Sequence, residues 1–144
     1  MIIISHRGNI NGVEISKENS PEHIQNALDL KFDVEIDLHY YKNSLWLGHD
    51  EPQYKLNNIN WLFNKNLWCH AKNIEAIHFM INYEKIHCFW HQEDDLTITS
   101  RGYLWTYPGK PIFKKTVIVI KKDIKKENLP KSLGVCSDYI MKLK

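Results

Sequence analysis

Apolar and polar residues alternate strictly between residues 32 and 38 of the chain. After Phe32 the segment reads Asp33-Val34-Glu35-Ile36-Asp37-Leu38. In an extended chain, successive side chains point to opposite faces. The segment is therefore predicted to be a β-strand with its acids on one face and its apolar residues on the other.

Other apolar or β-branched runs predict further strands at residues 2–5, 45–48, 67–71, 87–91, 103–107, 116–120 and 135–140. Helices are predicted between the early strands. Ser20 is a favourable N-cap before Pro21, Asn58 can cap a short helix, and Asn73 can cap another. The apolar faces expected of these three helices carry Ile24, Ala27 and Leu28; Ile59, Leu62 and Phe63; and Ile74, Ile77 and Ile81.

Strand and helix alternate in the first two-thirds of the chain, which favours a parallel sheet with covering helices. The last third has strands but hardly any room for helices between them. With 144 residues, 43% of them hydrophobic and 25% charged, the chain is expected to form one α/β domain over residues 1–144.

Charge is unevenly distributed, although the net charge is only +2. Residues 114–144 contain nine lysines and three acids, so the first 113 residues are acidic overall. A solvated lysine face is the simpler interpretation of this segment, and attraction of an anionic surface or substrate is the alternative.

The three cysteines, Cys69, Cys88 and Cys136, form no disulfide pattern and are expected to be buried, inert thiols. The first residues lack the features of a signal peptide, and no apolar run approaches the roughly 18 residues needed to span a bilayer. A cytoplasmic protein without stable membrane insertion is expected.

Glu35 and Asp37 are the first candidate site residues, because they share a strand face and would repel each other without a positive partner. A hard divalent cation such as Mg²⁺ or Ca²⁺ takes such oxygen ligands. His6 and His49 each end a strand-like segment, and imidazole can donate or accept a proton near neutral pH. Arg7 can hold phosphate oxygens through two nitrogens.

Tyr103, Trp105 and Tyr107 alternate onto one strand face. Packing inside the fold is the leading interpretation. An apolar or stacking wall for part of a substrate is the other.

Four fragments in this order resemble the glycerophosphodiester phosphodiesterase family, which belongs to the barrel phosphodiesterases similar to phosphatidylinositol-specific phospholipase C. The fragments are His6-Arg7-Gly8, Glu18-Asn19-Ser20-Pro21-Glu22, Val34-Glu35-Ile36-Asp37-Leu38 and Gly48-His49-Asp50. The resemblance is close over about the first fifty residues and patchy afterwards. Near the end, Gly134-Val135-Cys136-Ser137-Asp138 is similar to the family's last strand.

The resemblance implies a metal-dependent hydrolase whose substrate is a small, glycerophosphodiester-like molecule. Nucleic acid is not expected as a substrate. His6 and His49 would be its catalytic pair, Glu35 and Asp37 metal ligands, and Arg7 a phosphate ligand. Two attacking groups stay open: water, and the substrate's own hydroxyl, which would give a cyclic phosphate.

His70 stands where the family commonly has a third acidic ligand, and Lys72 matches a family lysine that would sit beside the phosphate. With His70 as a ligand, preference for the single divalent cation would shift from Ca²⁺ towards Mg²⁺, Mn²⁺ or Zn²⁺. A site completed by water without His70 is the alternative.

The resemblance also implies a (β/α) TIM-type barrel, although such barrels take about 250 residues. A compact barrel with its later helices reduced or missing is therefore expected. The outer faces of its late strands would be uncovered, so a homodimer or a higher oligomer is predicted. Two further functions stay open: a sphingomyelinase-D-like phospholipase or lyase, and a catalytically reduced barrel that serves as a binding module.

Overall fold

The computed structural model describes all residues from 1 to 144 and contains ten strands, which form one curled mixed sheet. In chain order, strands β1 to β10 are Ile2–His6, Asp33–Tyr41, Ser44–Leu47, Tyr54–Lys55, Leu67–Ala71, Cys88–Phe89, Leu96–Ile98, Leu104–Thr106, Thr116–Ile120 and Gly134–Ser137. The two α-helices are α1, Pro21–Asp29, and α2, Ile74–Met80. Three 3-10 helices lie at Ile59–Phe63, Lys126–Asn128 and Ile140–Leu143.

Parallel strands form the middle of the sheet, in the order β6-β5-β2-β1-β10-β9-β8. Antiparallel partners are added at two places: β3 and β4 follow β2 as a hairpin, and β7 pairs with β8. The N-terminal and C-terminal strands, β1 and β10, lie side by side, so the two ends of the chain meet in the centre of the sheet.

The predicted TIM-type barrel is wrong. The sheet is a curled half-barrel, and only 19% of the chain is helical. Strands β6 and β7 do not pair with each other, and Ser100, in the turn after β7, instead exchanges hydrogen bonds with Cys88. The connections after β6 hold no α-helix: three of the four have nine residues or fewer, and the one between β9 and β10 forms only a 3-10 helix, whereas a closed barrel requires a helix after each strand.

The predicted helix caps are confirmed. The side chains of Ser20, Asn58 and Asn73 accept hydrogen bonds from the backbone N–H groups of His23, Asn60 and Ala76. The apolar face predicted for α2 is wrong at two of its three positions: Ile77 packs against the core, but Ile74 and Ile81 are exposed, and the fully buried residues of the helix are Ala76 and Met80. The helix has only seven residues, and its orientation follows from Ala76 and Met80, which both belong to the main buried cluster.

Alternation along β2 divides the protein into an outer and an inner core, as the sequence predicts. Val34, Ile36 and Leu38 belong to a cluster of 15 buried residues between the sheet and the two helices. The inner, concave face holds a second cluster that includes Trp68, Phe89 and Trp105. Glu35 and Asp37 point to this inner side. They lie next to the apolar cluster, near the carboxyl ends of the strands.

The outer face of the late strands is covered by the chain itself. Ile118 and Val135 are 5% and 1% exposed and pack with Leu143 of the last 3-10 helix and with Leu129. The prediction that the late strands have uncovered outer faces is therefore wrong. The oligomer inferred from it stays an untested prediction.

All three cysteines are buried and free, as expected from their apolar surroundings. Burial raises the pKa of the Cys69 and Cys136 thiols well above the ordinary value. These thiols are therefore held in the neutral, unreactive form. Neither helix is long and apolar enough to cross a membrane.

Candidate functional site

The polar groups of the candidate site meet at the carboxyl ends of three neighbouring parallel strands. His6 ends β1 and lies opposite Glu35 of β2, and Asp37 of β2 lies opposite His70 of β5. This register brings the His6, Glu35, Asp37 and His70 side chains onto the same inner face.

Glu35, Asp37 and His70 form a compact group whose ligand atoms all lie within 4.8 Å of one another. His70 Nδ1 is 3.1 Å from Asp37 Oδ1 and 3.5 Å from Glu35 Oε1. The three residues are buried, and no hydrogen bond of acceptable geometry reaches Asp37 Oδ1. Buried polar atoms normally have a partner, and the nearest groups to this oxygen are positively charged, so the three residues could hold a cation.

Positive side chains of the protein also surround Asp37. Besides His70, Arg7 Nε is 3.0 Å from Asp37 Oδ2, and Lys72 Nζ is 3.8 Å from Asp37 Oδ1. Burial alone would raise the pKa of Asp37, but the contacts with His70, Arg7 and Lys72 outweigh it and lower the pKa. The same carboxylates overcome the burial of His70 and raise its pKa to about 9.

The donor set suits a divalent cation that accepts both oxygen and nitrogen ligands. Two carboxylates and one imidazole are ligands that Mn²⁺ and Zn²⁺ accept, whereas Ca²⁺ and Mg²⁺ prefer oxygen ligands alone. To bind a cation, His70 must be neutral, so binding has to displace the proton that the two carboxylates hold on its ring. The same three residues therefore form an internal ion cluster without a metal and a ligand set with one.

His6 is held by a carboxylate from the other end of the chain. Its Nδ1 donates to Asp138 Oδ1 at 2.8 Å, and its Nε2 lies 4.0 Å from Glu35 Oε2. Burial lowers the pKa of His6, but the hydrogen bond to Asp138 and the charge of Glu35 raise it above its usual value overall. Asp138 thus fixes the ring so that Nε2 faces the cleft.

The loop between β1 and α1 holds Arg7 in place. Arg7 Nη1 donates to Glu18 Oε2 at 3.0 Å, and Asn19 exchanges two hydrogen bonds with Asp37. Arg7 and Asn19 adopt left-handed backbone angles, φ 56° and φ 60°, which non-glycine residues rarely use. Arg7 therefore contacts Asp37 through Nε and Glu18 through Nη1. Its third nitrogen, Nη2, is available to bind an anion.

His49 lies on a tight turn after β3, at the mouth of the cleft. The turn needs Gly48, because a Cβ there would come within 2.1 Å of the Glu51 carbonyl oxygen. His49 Nδ1 lies 2.7 Å from Asp50 Oδ1, and the backbone carbonyl of His49 accepts a hydrogen bond from His39. His49 is thus more exposed than His6, and its Nε2 has no partner within the protein.

One cleft of about 220 Å³ is lined by six of the seven site residues predicted from the sequence, and the seventh, Asp37, is fully buried beside Glu35 and His70. Its first half is polar and is lined by the six residues His6, Arg7, Glu35, His49, His70 and Lys72. Its second half is built by the late strands and includes Trp105, Tyr107, Val119 and Lys121. The site is therefore two-sided, with one charged wall and one largely apolar wall.

All seven site residues predicted from the sequence lie in this cleft or directly beside its lining residues: His6, Arg7, Glu35, Asp37, His49, His70 and Lys72. Their functional roles stay predictions. Sequence reasoning assigned no role to Asp138, Asn9 or Lys121. Asp138 carried a signal, because it follows a short apolar strand just as His6 does, but nothing local indicates that these two strands are neighbours.

Asn9 links the parts of the site. Its Nδ2 donates to both Glu18 Oε1 and Asp138 Oδ1, each at 2.8 Å. Because Glu18 holds Arg7 and Asp138 holds His6, one buried amide coordinates the orientation of both groups.

Comparison of the chain with protein-family models, curated proteins and solved structures finds no match. The functional conclusion therefore depends on the residues of the cleft and their chemistry.

Proposed function

We propose that the protein is a metal-dependent phosphodiesterase that cleaves a small phosphodiester, with His6 and His49 as its proton-transfer pair. One observation carries the proposal: both histidines line a single cleft together with the buried Glu35, Asp37 and His70 group. A phosphodiester needs charge neutralisation, a base and an acid, and this cleft has candidates for all three.

His6 is the better-oriented member of the pair. Asp138 occupies its Nδ1, so Nε2 is the atom available to take a proton from the attacking oxygen. A fixed ring needs less reorganisation to reach the transition state. The Asp of a Ser-His-Asp triad orients its histidine in the same way. We assign His6 the role of general base.

His49 is assigned to protonate the leaving oxygen. It lies on the turn at the mouth of the cleft, where an ester group would depart into solvent, and Asp50 orients its Nδ1. The partly exposed position suits a group that must regain a proton after each turnover.

Glu35, Asp37 and His70 would hold the cation, which when bound neutralises phosphate charge and polarises the phosphorus–oxygen bonds. Arg7 Nη2 and Lys72 would bind the remaining phosphate oxygens. These groups are already in place in the folded chain, so binding requires little rearrangement of the wall.

The test is turnover of a panel of phosphodiesters by wild type, His6→Ala and His49→Ala, with Mg²⁺, Mn²⁺, Zn²⁺ or Ca²⁺ added. Each substitution should lower kcat by about 10²- to 10⁴-fold, the usual value of one positioned proton-transfer group. Circular dichroism and urea unfolding should show a folded chain in both variants. His78→Ala is the matched control, because that exposed histidine lies on α2 outside the cleft and should leave kcat unchanged.

Wild-type turnover that both histidine variants retain would contradict the assignment. Phosphorus NMR of the product would show whether water or a substrate hydroxyl attacks, since only the second gives a cyclic phosphate.

A binding module is the second candidate, and the cations around Asp37 favour it. Arg7, His70 and Lys72 already supply positive charge to the two carboxylates. If they are sufficient, the cleft can bind a phosphate ester without a metal and without cleaving it. Diester binding that is unaffected by a chelator, with no turnover under any metal, would favour this function.

A further inference from the structure

The late-strand wall of the cleft differs in chemistry from the wall that carries the proposed catalytic groups. Trp105 of β8 and Val119 of β9 form its floor, and Tyr107 stands at its edge. Tyr107 is fixed by a hydrogen bond to the Gln92 carbonyl and by an edge contact with the His91 ring. The wall is thus a preformed, mainly apolar surface beside the phosphate position.

Lys121 is the charged residue of this wall, and it directly follows β9. Of the two lysines that line the cleft, Lys72 has an acidic partner within 4.0 Å, Asp37, whereas Lys121 is exposed and has none. Its neighbour Asp123 is already paired with Lys142. An ammonium group that faces a cleft without a counter-ion is available for an anionic ligand.

The surrounding charge reinforces this position. Glu35 is the only acidic residue lining the cleft, and it belongs to the opposite wall. Lys122, Lys125 and Lys126 are exposed on the same connection as Lys121. Residues 121–127 hold four lysines against Asp123 and Glu127, so this connection is basic overall, which attracts anions and disfavours cationic groups.

The spacing fits one ligand with two negative groups. Lys121 follows β9, and β10 separates β9 from β1, where His6 lies. Two strand spacings of about 4.8 Å place these strand ends about 10 Å apart. A lysine side chain and a short carbon linker together span that distance.

We propose that Lys121 selects phosphodiesters whose leaving group carries a second negative charge, with the linker packed over Trp105 and Val119. The inference depends on the proposed phosphodiesterase function, because it places the scissile phosphate beside His6. The expected substrate is a compact diester whose far end carries an anionic group, in preference to diesters whose far group is neutral or cationic. An aromatic wall also suits a quaternary ammonium group, so the cationic substrate is the sharpest competitor.

The experiment uses three glycerophosphodiesters that differ only in the far group: glycerol, choline, or glycerol phosphorylated at its far hydroxyl. For the full-length protein, kcat/KM should be about tenfold higher for the phosphorylated substrate than for the glycerol one, and lowest for the choline one. Lys121→Glu should lower kcat/KM for the phosphorylated substrate about a hundredfold, while the value for the glycerol substrate stays within about threefold. Lys125→Glu makes the same charge change on the same connection outside the cleft, and it should preserve the ranking.

Calorimetric titration of the same three compounds into His6→Ala separates this inference from the proposed function. If wild type cleaves none of the three, but the phosphorylated compound binds His6→Ala most tightly and loses that advantage in the His6→Ala/Lys121→Glu double variant, selection by Lys121 stands and phosphodiesterase activity does not. Equal binding of the three, preference for choline, or an anion preference that survives Lys121→Glu would overturn the inference.

Discussion

The early and late strands of the sheet support the same cleft in different ways. Strands β1, β2 and β5 are backed by two helices and a cluster of 15 buried residues, and they carry nearly all of the charged groups. Strands β8 to β10 are backed by connecting segments and an outer cluster of only three buried residues. The difference indicates that rigid support is concentrated where buried charges must be held, while the late strands mainly supply the wall against which a ligand packs.

The largest effect is expected from removing matched isoleucines on the two outer faces. Ile36→Ala on β2 should destabilise the protein by about 3–5 kcal/mol, because its side chain is fully buried within the large cluster. Ile118→Ala on β9 should cost about 1–2 kcal/mol less, because the covering segments can settle into the space. Urea unfolding of both variants measures the difference, and equal losses would show that the two halves are supported alike.

Asp138 is the late-half residue that directly contacts His6, the proposed general base. Asp138→Asn should lower kcat about 10- to 100-fold with KM nearly unchanged, because it weakens the orientation of His6 without touching the phosphate position. Asp123→Asn, in an exposed ion pair of the same half, is the control and should leave both constants unchanged. A rise in KM with constant kcat would mean that Asp138 shapes the binding surface instead.

His87 lies where the early strands meet the late ones, and its titration should make the free energy of unfolding depend on pH. This buried residue hydrogen-bonds Thr99 at 2.8 Å, joining the start of β6 to the end of β7. Burial, with a smaller effect of Arg101, lowers the pKa of His87 to about 3 from 6.5. The folded state therefore favours the neutral ring, so this contribution is complete above pH 6.5 and is lost as pH falls towards 3.

The size of that loss is about 1.4 kcal/mol per pH unit below 6.5. Urea unfolding between pH 7 and pH 4 should show a steeper fall for wild type than for His87→Gln, which keeps a hydrogen-bonding side chain without the titration. Parallel curves for the two proteins would place the pH sensitivity elsewhere.

Local signals in the sequence predicted the early half well. The alternation from Asp33 to Leu38 identified the two faces of β2, and Ser20 and Asn73 identified the helix starts, because strand alternation and capping depend on near neighbours. The same alternation placed Glu35 and Asp37 on one face, whereas His70 was expected beside them only because of the family resemblance.

Features that depend on distant residues were not accessible in this way. The hydrogen bond between His6 and Asp138 joins positions 132 residues apart, and it exists because β1 and β10 pair. Closure of the sheet was predicted wrongly for the same reason, since it depends on whether β6 and β7 meet. The face that α2 buries also depends on the fit of Ala76 and Met80 against the sheet, which helical spacing alone does not reveal.

Cation binding tests the central claim most directly, because the proposed chemistry requires Glu35, Asp37 and His70 to act as ligands. The measurement is calorimetric titration of chelator-treated protein with Mg²⁺, Mn²⁺, Zn²⁺ and Ca²⁺, with Glu35→Gln as the matched variant. We expect one cation per chain, with Mn²⁺ or Zn²⁺ bound more tightly than Ca²⁺ and affinity at least tenfold weaker in Glu35→Gln. Absence of binding by all four cations, or equal binding by wild type and Glu35→Gln, would contradict the account.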